Sequence, residues 1–129
     1  MKRALPLIAA LALAACATTP PPPPPPPPPG PTAALGQVAA VGGLRLRPLD
    51  VVEDSRCPAR VQCVWAGRVR IMAEVEAPDR SGTTNAELTL GEPLAIYGGR
   101  LTLVAAQPDK GFPGSIEREN YRFTFTFKR

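Results

Sequence analysis

Ten consecutive prolines at residues 20–29 divide this 129-residue chain into two parts of different character. Proline fixes φ near −65° and pushes the residue before it into an extended conformation. The run therefore predicts a polyproline II rod that rises about 3.1 Å per residue, or roughly 30 Å in total. Since the rod cannot contribute to a core, the domain is predicted to comprise residues 35–129, which suffice for a single modest core.

The first fifteen residues have the anatomy of a secretory signal peptide. Lys2 and Arg3 form a basic start, residues 5–13 are mostly apolar, and small residues follow. The apolar run is shorter than the roughly 20 residues that a membrane-spanning helix needs. Residues 1–15 are therefore predicted to be removed on export.

The end of this segment, Leu13-Ala14-Ala15-Cys16, resembles the lipobox of bacterial lipoproteins. The resemblance implies cleavage before Cys16 and the attachment of diacylglycerol and an N-acyl chain. Several chains on one residue make a stable anchor, because each buried methylene contributes roughly 0.8 kcal/mol. Ala17 follows the cysteine, and resemblance to enterobacterial sorting then favours the outer membrane, facing the periplasm. The alternative is an ordinary signal with Ala-x-Ala-type cleavage and a chance cysteine.

Residues 16–34 would then form a lipidated N-terminus and a linker. We interpret the proline rod as a spacer that lifts the domain from the membrane surface. The alternative is a docking ligand for a proline-binding partner. The spacer is favoured because no flanking charge pattern marks a binding register.

Alternation of apolar and polar residues predicts strands in the domain, most clearly at residues 69–76 and at the end of the chain. Seven or eight short strands between Gly and Pro turns predict an all-β, antiparallel sandwich of the immunoglobulin-like type, with a small closed barrel as the alternative. Pro48 predicts an edge position or a bulge, and residues 107–120 predict a long loop. Four aromatic side chains of the last strand are expected between the sheets: Tyr121, Phe123, Phe125 and Phe127.

The stretch at residues 54–67, DSRCPARVQCVWAG, contains two of the three cysteines and the only tryptophan. In an exported chain, Cys57 and Cys63 are predicted to form a disulfide, and Cys16 is left for the lipid. Counting with a period of two places Cys63 and Trp65 on one strand face, so Trp65 is expected to pack in the core near the disulfide.

Three further residues of this stretch have predicted local roles. Gly67 indicates a bulge or a close backbone approach. Asp54 and Ser55 are expected to hydrogen-bond nearby backbone amides, and Arg56 is expected to pair with Asp54 or Glu53.

The same stretch resembles a signature, DSRCPxxVxCxWAG, of small bacterial secreted proteins and lipoproteins. The match comprises residues 54–58, Val61, Cys63 and residues 65–67. The resemblance is compatible with the strands on either side, and it implies no activity, ligand or functional residue.

Composition argues against several classes of function. The formal charge of +4 falls to about +2 when Lys2 and Arg3 are removed with the leader, which is too weak a charge to indicate a nucleic-acid partner. Histidine is absent, so the usual general base and the commonest metal ligand are missing. We expect no enzyme activity, no cofactor and no metal; a hydrolytic enzyme that uses Glu53 or Asp54 is a remote alternative.

The leading hypothesis is an envelope lipoprotein whose β-domain has a structural or binding role. The candidate binding residues are Asp54, Ser55, Arg56 and the rim of Trp65. The alternative is a ligand- or inhibitor-type module that captures a periplasmic protein through the cysteine stretch and residues 107–120. A thiolate metal site and a redox pair are weaker alternatives, because further ligands and a CxxC spacing are missing. The oligomeric state stays open.

Overall fold

The structure is a computed structural model that describes residues 19–24, 26, 30–58, 61–110 and 114–129. The predicted signal peptide and Cys16 lie outside the described residues, and so do parts of the proline run and of the predicted long loop. The elements are β1 Thr32–Ala33, β2 Ala39–Val41, β3 Leu44–Asp54, β4 Val69–Glu76, β5 Thr83–Thr89, β6 Leu94–Ile96, β7 Gly99–Gln107, a 3₁₀ helix Arg118–Asn120 and β8 Arg122–Lys128. Among these residues, no helix is long and apolar enough to cross a membrane.

The strands form two four-stranded antiparallel sheets around one core, with the orders β1-β8-β7-β6 and β2-β3-β4-β5. The predicted all-β antiparallel sandwich is confirmed, and the described strands do not close into a barrel. Within this class the arrangement is a meander, because neighbours in each sheet are consecutive in sequence except for β1 and β8. Immunoglobulin sheets instead mix strands from both halves of the chain through Greek-key connections.

Side-chain alternation produces the core, as the sequence predicts. In β4 every second residue is buried, beginning with Val69. In and before β8, Tyr121, Phe123 and Phe125 are buried between the sheets, while Phe127 is only partly buried at the margin of the core. Burial of a side chain as large as phenylalanine contributes roughly 1.5–3 kcal/mol.

The two predicted irregularities have different outcomes. The pairing of β3 with β4 shifts register between Pro48 and Asp50, so the predicted bulge is confirmed. The long loop is shorter than predicted, because β7 continues to Gln107 and the 3₁₀ helix takes up its last residues. The connection between β7 and the helix comprises residues 108–117.

The linker and the cysteine stretch meet the sandwich at opposite ends. β1 is antiparallel to β8 and ends beside Phe123, and the amide of Phe125 donates to the carbonyl of Pro31 at 3.1 Å. The chain therefore approaches β1 from the end of the sandwich that holds Lys128, which we call the linker end. The connection between β3 and β4 lies at the other end, beside Tyr121, which we call the bend end.

Candidate functional site

Residues 55–68 extend the hairpin of β3 and β4 beyond the sandwich, and we call them the arm. Backbone hydrogen bonds continue the ladder into it. The amide of Ser55 donates to the carbonyl of Arg68 at 2.9 Å, and that of Cys57 donates to the carbonyl of Ala66 at 3.3 Å. The base of the arm is therefore held as a hairpin.

Gly67 permits a close approach between the two sides of this hairpin. It has a φ of 71°, and a Cβ at this position would lie 1.8 Å from the carbonyl oxygen of Ser55. The predicted close backbone approach is confirmed. The hydroxyl of Ser55 accepts from the amide of Arg68 at 3.0 Å and donates to Glu53 at 3.0 Å, so it bridges both sides of the base.

The disulfide between Cys57 and Cys63 is present, as predicted, with the two Cα atoms 5.9 Å apart. It closes the outer part of the arm into a small loop. Within this loop the amide of Val61 donates to the carbonyl of Pro58 at 3.1 Å. The disulfide therefore joins the two sides of the arm just beyond the hairpin base.

Asp54 and Arg56 point into the sandwich and lock the arm to the opposite sheet. Both oxygens of the Asp54 carboxylate accept from the Arg56 guanidinium at 2.9 Å. Arg56 also donates to the carbonyl of Ala106 in β7 at 2.9 Å, and the Tyr121 hydroxyl donates to Asp54 at 2.7 Å. We call Asp54, Arg56 and Tyr121 the clamp. The predicted ion pair is confirmed, and its side chains are only 8% and 15% exposed.

The clamp also determines the ionisation of its members. Burial alone would raise the pKa of Asp54, but the hydrogen bonds from Arg56 and Tyr121 outweigh burial and lower the pKa to about 2. Burial and the hydrogen bond to Asp54 raise the pKa of Tyr121 to about 12. Asp54 is thus ionised and Tyr121 protonated at neutral pH, far from the pKa range that suits a general acid or base there.

Glu53 and Arg68 lie on the opposite, solvent-facing side of the same strands. Glu53 pairs in register with Arg70, whereas the next pair includes the buried Val69. One Glu53 oxygen accepts from Nε of Arg70 at 2.7 Å and from Nε of Arg68 at 2.9 Å. These two hydrogen bonds, with that from Ser55, lower the pKa of Glu53 to about 2.

Trp65 lies outside the core, so the prediction that it packs between the sheets is wrong. Its side chain is 81% exposed, and that of Val64 is 90% exposed. Residues 61–68 are not a strand, and the period of two used in the prediction does not hold over residues 61–65. The inner side of the arm base is instead occupied by Arg56.

A groove of about 810 Å³ lies beside Trp65 on the solvent face of the arm. Its lining combines Val64 and Trp65, which we call the tip, with charged, polar and small residues: Glu53, Ser55, Cys63, Ala66, Gly67 and Arg68. Of the four predicted binding residues, Ser55 and Trp65 line this groove. The other two, Asp54 and Arg56, belong to the clamp.

Sequence reasoning missed Glu53 and Arg68 as members of the groove. The signal was nevertheless present, because the alternation that buries Val69 extends back to place Arg68 on the outer face. The outward orientation of Glu53 follows from its register opposite Arg70, and that register is known only once the strands are paired.

The described part of residues 107–120 also reaches the bend end. Lys110 donates to the backbone carbonyl of Asp54 at 3.2 Å. A second cavity, of about 270 Å³, is lined among others by Lys110, Ser115, Arg118 and Tyr121. This segment therefore lies beside Asp54 and Tyr121 of the clamp, and it does not line the groove.

No protein-family model, curated protein or solved structure matches this chain. In the part of the chain that the structure describes, no group of three or more Cys, Asp or Glu side chains is placed to hold a metal ion. The arm, the clamp and the groove are therefore the features that bear on function.

Proposed function

We propose that the chain is a bacterial envelope lipoprotein whose β-sandwich is a non-catalytic binding domain. The anchor is the lipid on Cys16, and the proline linker holds the domain away from the outer membrane, on its periplasmic side. The lipobox-like sequence and the ten prolines support this proposal. The separation of the linker end from the bend end agrees with it, because the arm would then point away from the anchoring membrane.

The exposure of Trp65 is the observation that carries the binding role. A tryptophan buries about 150–250 Å² when it is covered, which at about 25 cal/mol per Å² gives roughly 4–6 kcal/mol of transfer free energy. Tryptophan is also enriched among the residues that dominate protein interfaces. A purely structural corner gives no reason for leaving this side chain in water.

The rigidity of the arm supports the same role. The clamp, the disulfide and the approach of Gly67 to Ser55 link the described residues of the arm to one another and to the opposite sheet. A contact residue that is positioned before binding loses less conformational entropy on association. This favours a binding domain over the structural alternative, with the arm rather than the clamp as the contact surface.

Fractionation of cell envelopes tests the anchor. Cys16→Ser should move the protein from the membrane to the soluble periplasmic fraction, because it removes the acylated sulfur. Ala17→Asp is the matched control, since it changes the neighbouring residue and should leave the protein membrane-bound. Continued membrane association of the Cys16→Ser chain would contradict the lipoprotein proposal.

Affinity recovery from crosslinked envelopes tests the binding role. A species that is crosslinked to the wild type should be lost from Trp65→Ala and kept by Val104→Ala, a control that truncates another exposed apolar side chain, on β7. Equal recovery with both variants would show that Trp65 is not the contact residue.

A further inference from the structure

We infer that the groove beside Trp65 receives a second copy of this chain, so that two neighbouring lipoproteins meet arm to arm. The inference rests on the proposed function for the anchoring of both copies in one membrane. It goes further by naming the partner and by assigning it to the groove. Three properties of the described residues support it: the charges of the groove, its position on the sandwich and its size.

The groove carries groups of both signs beside the exposed indole. Glu53 and Arg68 both line it together with Trp65. In a two-fold contact the same surface is used by both copies, so any contact of Arg68 with Glu53 across the axis forms twice. Arg68 of one copy would then face Glu53 and the indole of the other, where an ion pair and a cation–π contact can form.

Arg68 has the capacity for this additional contact. Its side chain is 58% exposed. Among the hydrogen bonds of the described residues, its guanidinium uses only Nε, which donates to Glu53 at 2.9 Å. The two terminal nitrogens are therefore available to a carboxylate of another molecule. Pairing across the two copies would add to the existing ion pair without breaking it.

The position of the groove suits two copies that stand on one membrane. Glu53 and Arg68 lie on the solvent face of the β2–β5 sheet, which is a side of the sandwich, near its bend end. The linker approaches from the opposite end. Two sandwiches with parallel long axes can therefore meet through this side about a two-fold axis along the membrane normal. Both linkers then point toward the same membrane.

The small area that the two indoles can bury predicts a contact that depends on anchoring. Two indoles bury about 300–500 Å², whereas stable protein interfaces bury about 1,200–2,000 Å². The contact should therefore be weak between free molecules. Anchoring in one membrane confines both copies to a thin layer, which raises their local concentration and should populate the pair.

Site-specific photocrosslinking in intact envelopes tests this inference with the full lipidated chain. The probe is p-benzoylphenylalanine in place of Val64, the most exposed apolar residue of the tip. Irradiation should give an adduct with the mass of two chains, and mass spectrometry should place both crosslinked peptides in this protein. The same probe in place of Ala95, an exposed residue of β6 in the other sheet, should give no such adduct.

Two variants separate a specific contact from random collision. Trp65→Ala and Arg68→Glu, each combined with the probe at residue 64, should reduce the two-chain adduct about tenfold. Both side chains are exposed, so the sandwich should stay folded, which circular dichroism checks. An adduct that these changes leave intact would be a collision product and would overturn the inference.

The other outcomes are equally decisive. A dominant adduct with a different envelope protein or with lipid would show that another occupant fills the groove. The absence of any adduct would show that the tip is not a contact surface for a second copy. In either case, loss of membrane association on Cys16→Ser would still uphold the anchor, so failure of this inference is distinguishable from failure of that part of the proposed function.

Discussion

Replacement of Asp54 by Ala removes the carboxylate that holds the clamp together. Arg56 loses two hydrogen bonds of 2.9 Å and Tyr121 loses one of 2.7 Å. The Arg56 guanidinium stays in a position where its side chain is 15% exposed, and it keeps only the carbonyl of Ala106. Removal of one partner of a buried ion pair costs about 3–5 kcal/mol. Because Arg56 is partly solvated, we expect Asp54→Ala to cost about 2–4 kcal/mol.

A double-mutant cycle isolates this interaction. Arg56→Met keeps the aliphatic packing and removes the charge, so Asp54→Ala combined with Arg56→Met should recover part of the loss. We expect a coupling energy of at least about 1 kcal/mol. Asp50→Ala is the matched control, because it breaks an ion pair with Arg118 whose side chains are 59% and 62% exposed. It should change the free energy of unfolding by less than about 0.5 kcal/mol.

Urea unfolding followed by far-ultraviolet circular dichroism measures these free energies, since the exposed Trp65 is a poor reporter of the core. The pKa of Asp54 is about 2 in the folded chain against 3.8 ordinarily. Its stabilising contribution is therefore present above pH 3.8 and is lost as the pH falls through about 2. Asp54→Ala should lack this part of the acid transition. If Asp54→Ala costs no more than Asp50→Ala, or if the double variant is additive, the clamp does not hold the arm.

Three further changes test the arm. Gly67→Ala should cost at least about 3 kcal/mol, because the added Cβ would overlap the carbonyl oxygen of Ser55. Gly36 also has a positive φ but no such neighbour, so Gly36→Ala should cost only about 1 kcal/mol. Equal loss of thermal stability in the two variants would refute the close approach. Tyr121→Phe should cost about 1–2 kcal/mol, because Asp54 loses a hydrogen-bond donor. The same loss raises the pKa of Asp54, so the acid transition should move to higher pH. An unchanged midpoint of acid unfolding would contradict this. Cys57→Ser with Cys63→Ser should cost about 2 kcal/mol in urea unfolding, and thiol labelling of the unreduced wild-type domain should find neither cysteine reactive.

The strands and the covalent link could be predicted from the sequence because their causes are local. Period-two alternation at residues 69–76 and in the last strand corresponds to real burial in the core. Pro48 disturbs the register because it lacks an amide donor, whatever the rest of the fold. Cys57 and Cys63 are close in the chain, so their pairing needs little information about the rest of the structure.

The role of the clamp could not be predicted because its partners are distant in sequence. The sequence predicts that Arg56 pairs with Asp54 or Glu53, but it gives no sign that the Asp54–Arg56 pair faces inward or that further partners satisfy it. Their partners, Tyr121 and the carbonyl of Ala106, come from the other sheet. The identification of these residues as a binding patch assumed that polar side chains near a turn face solvent.

The position of Trp65 was mispredicted for a different physical reason. The alternation of a strand was continued through residues 61–65, where the disulfide loop replaces regular pairing. Hydrophobicity alone also favours burial of an indole. Neither consideration indicates that the inner side of the arm base is already filled by Arg56.

Collisional quenching of tryptophan fluorescence tests the central claim most directly, because Trp65 is the only tryptophan. The claim is that a braced arm presents this indole to solvent. In a dilute solution of the folded Cys16→Ser chain, we expect the emission of a water-exposed indole and acrylamide quenching close to that of a free tryptophan derivative. Blue-shifted emission that acrylamide quenches only after unfolding would place Trp65 in the core and contradict the account.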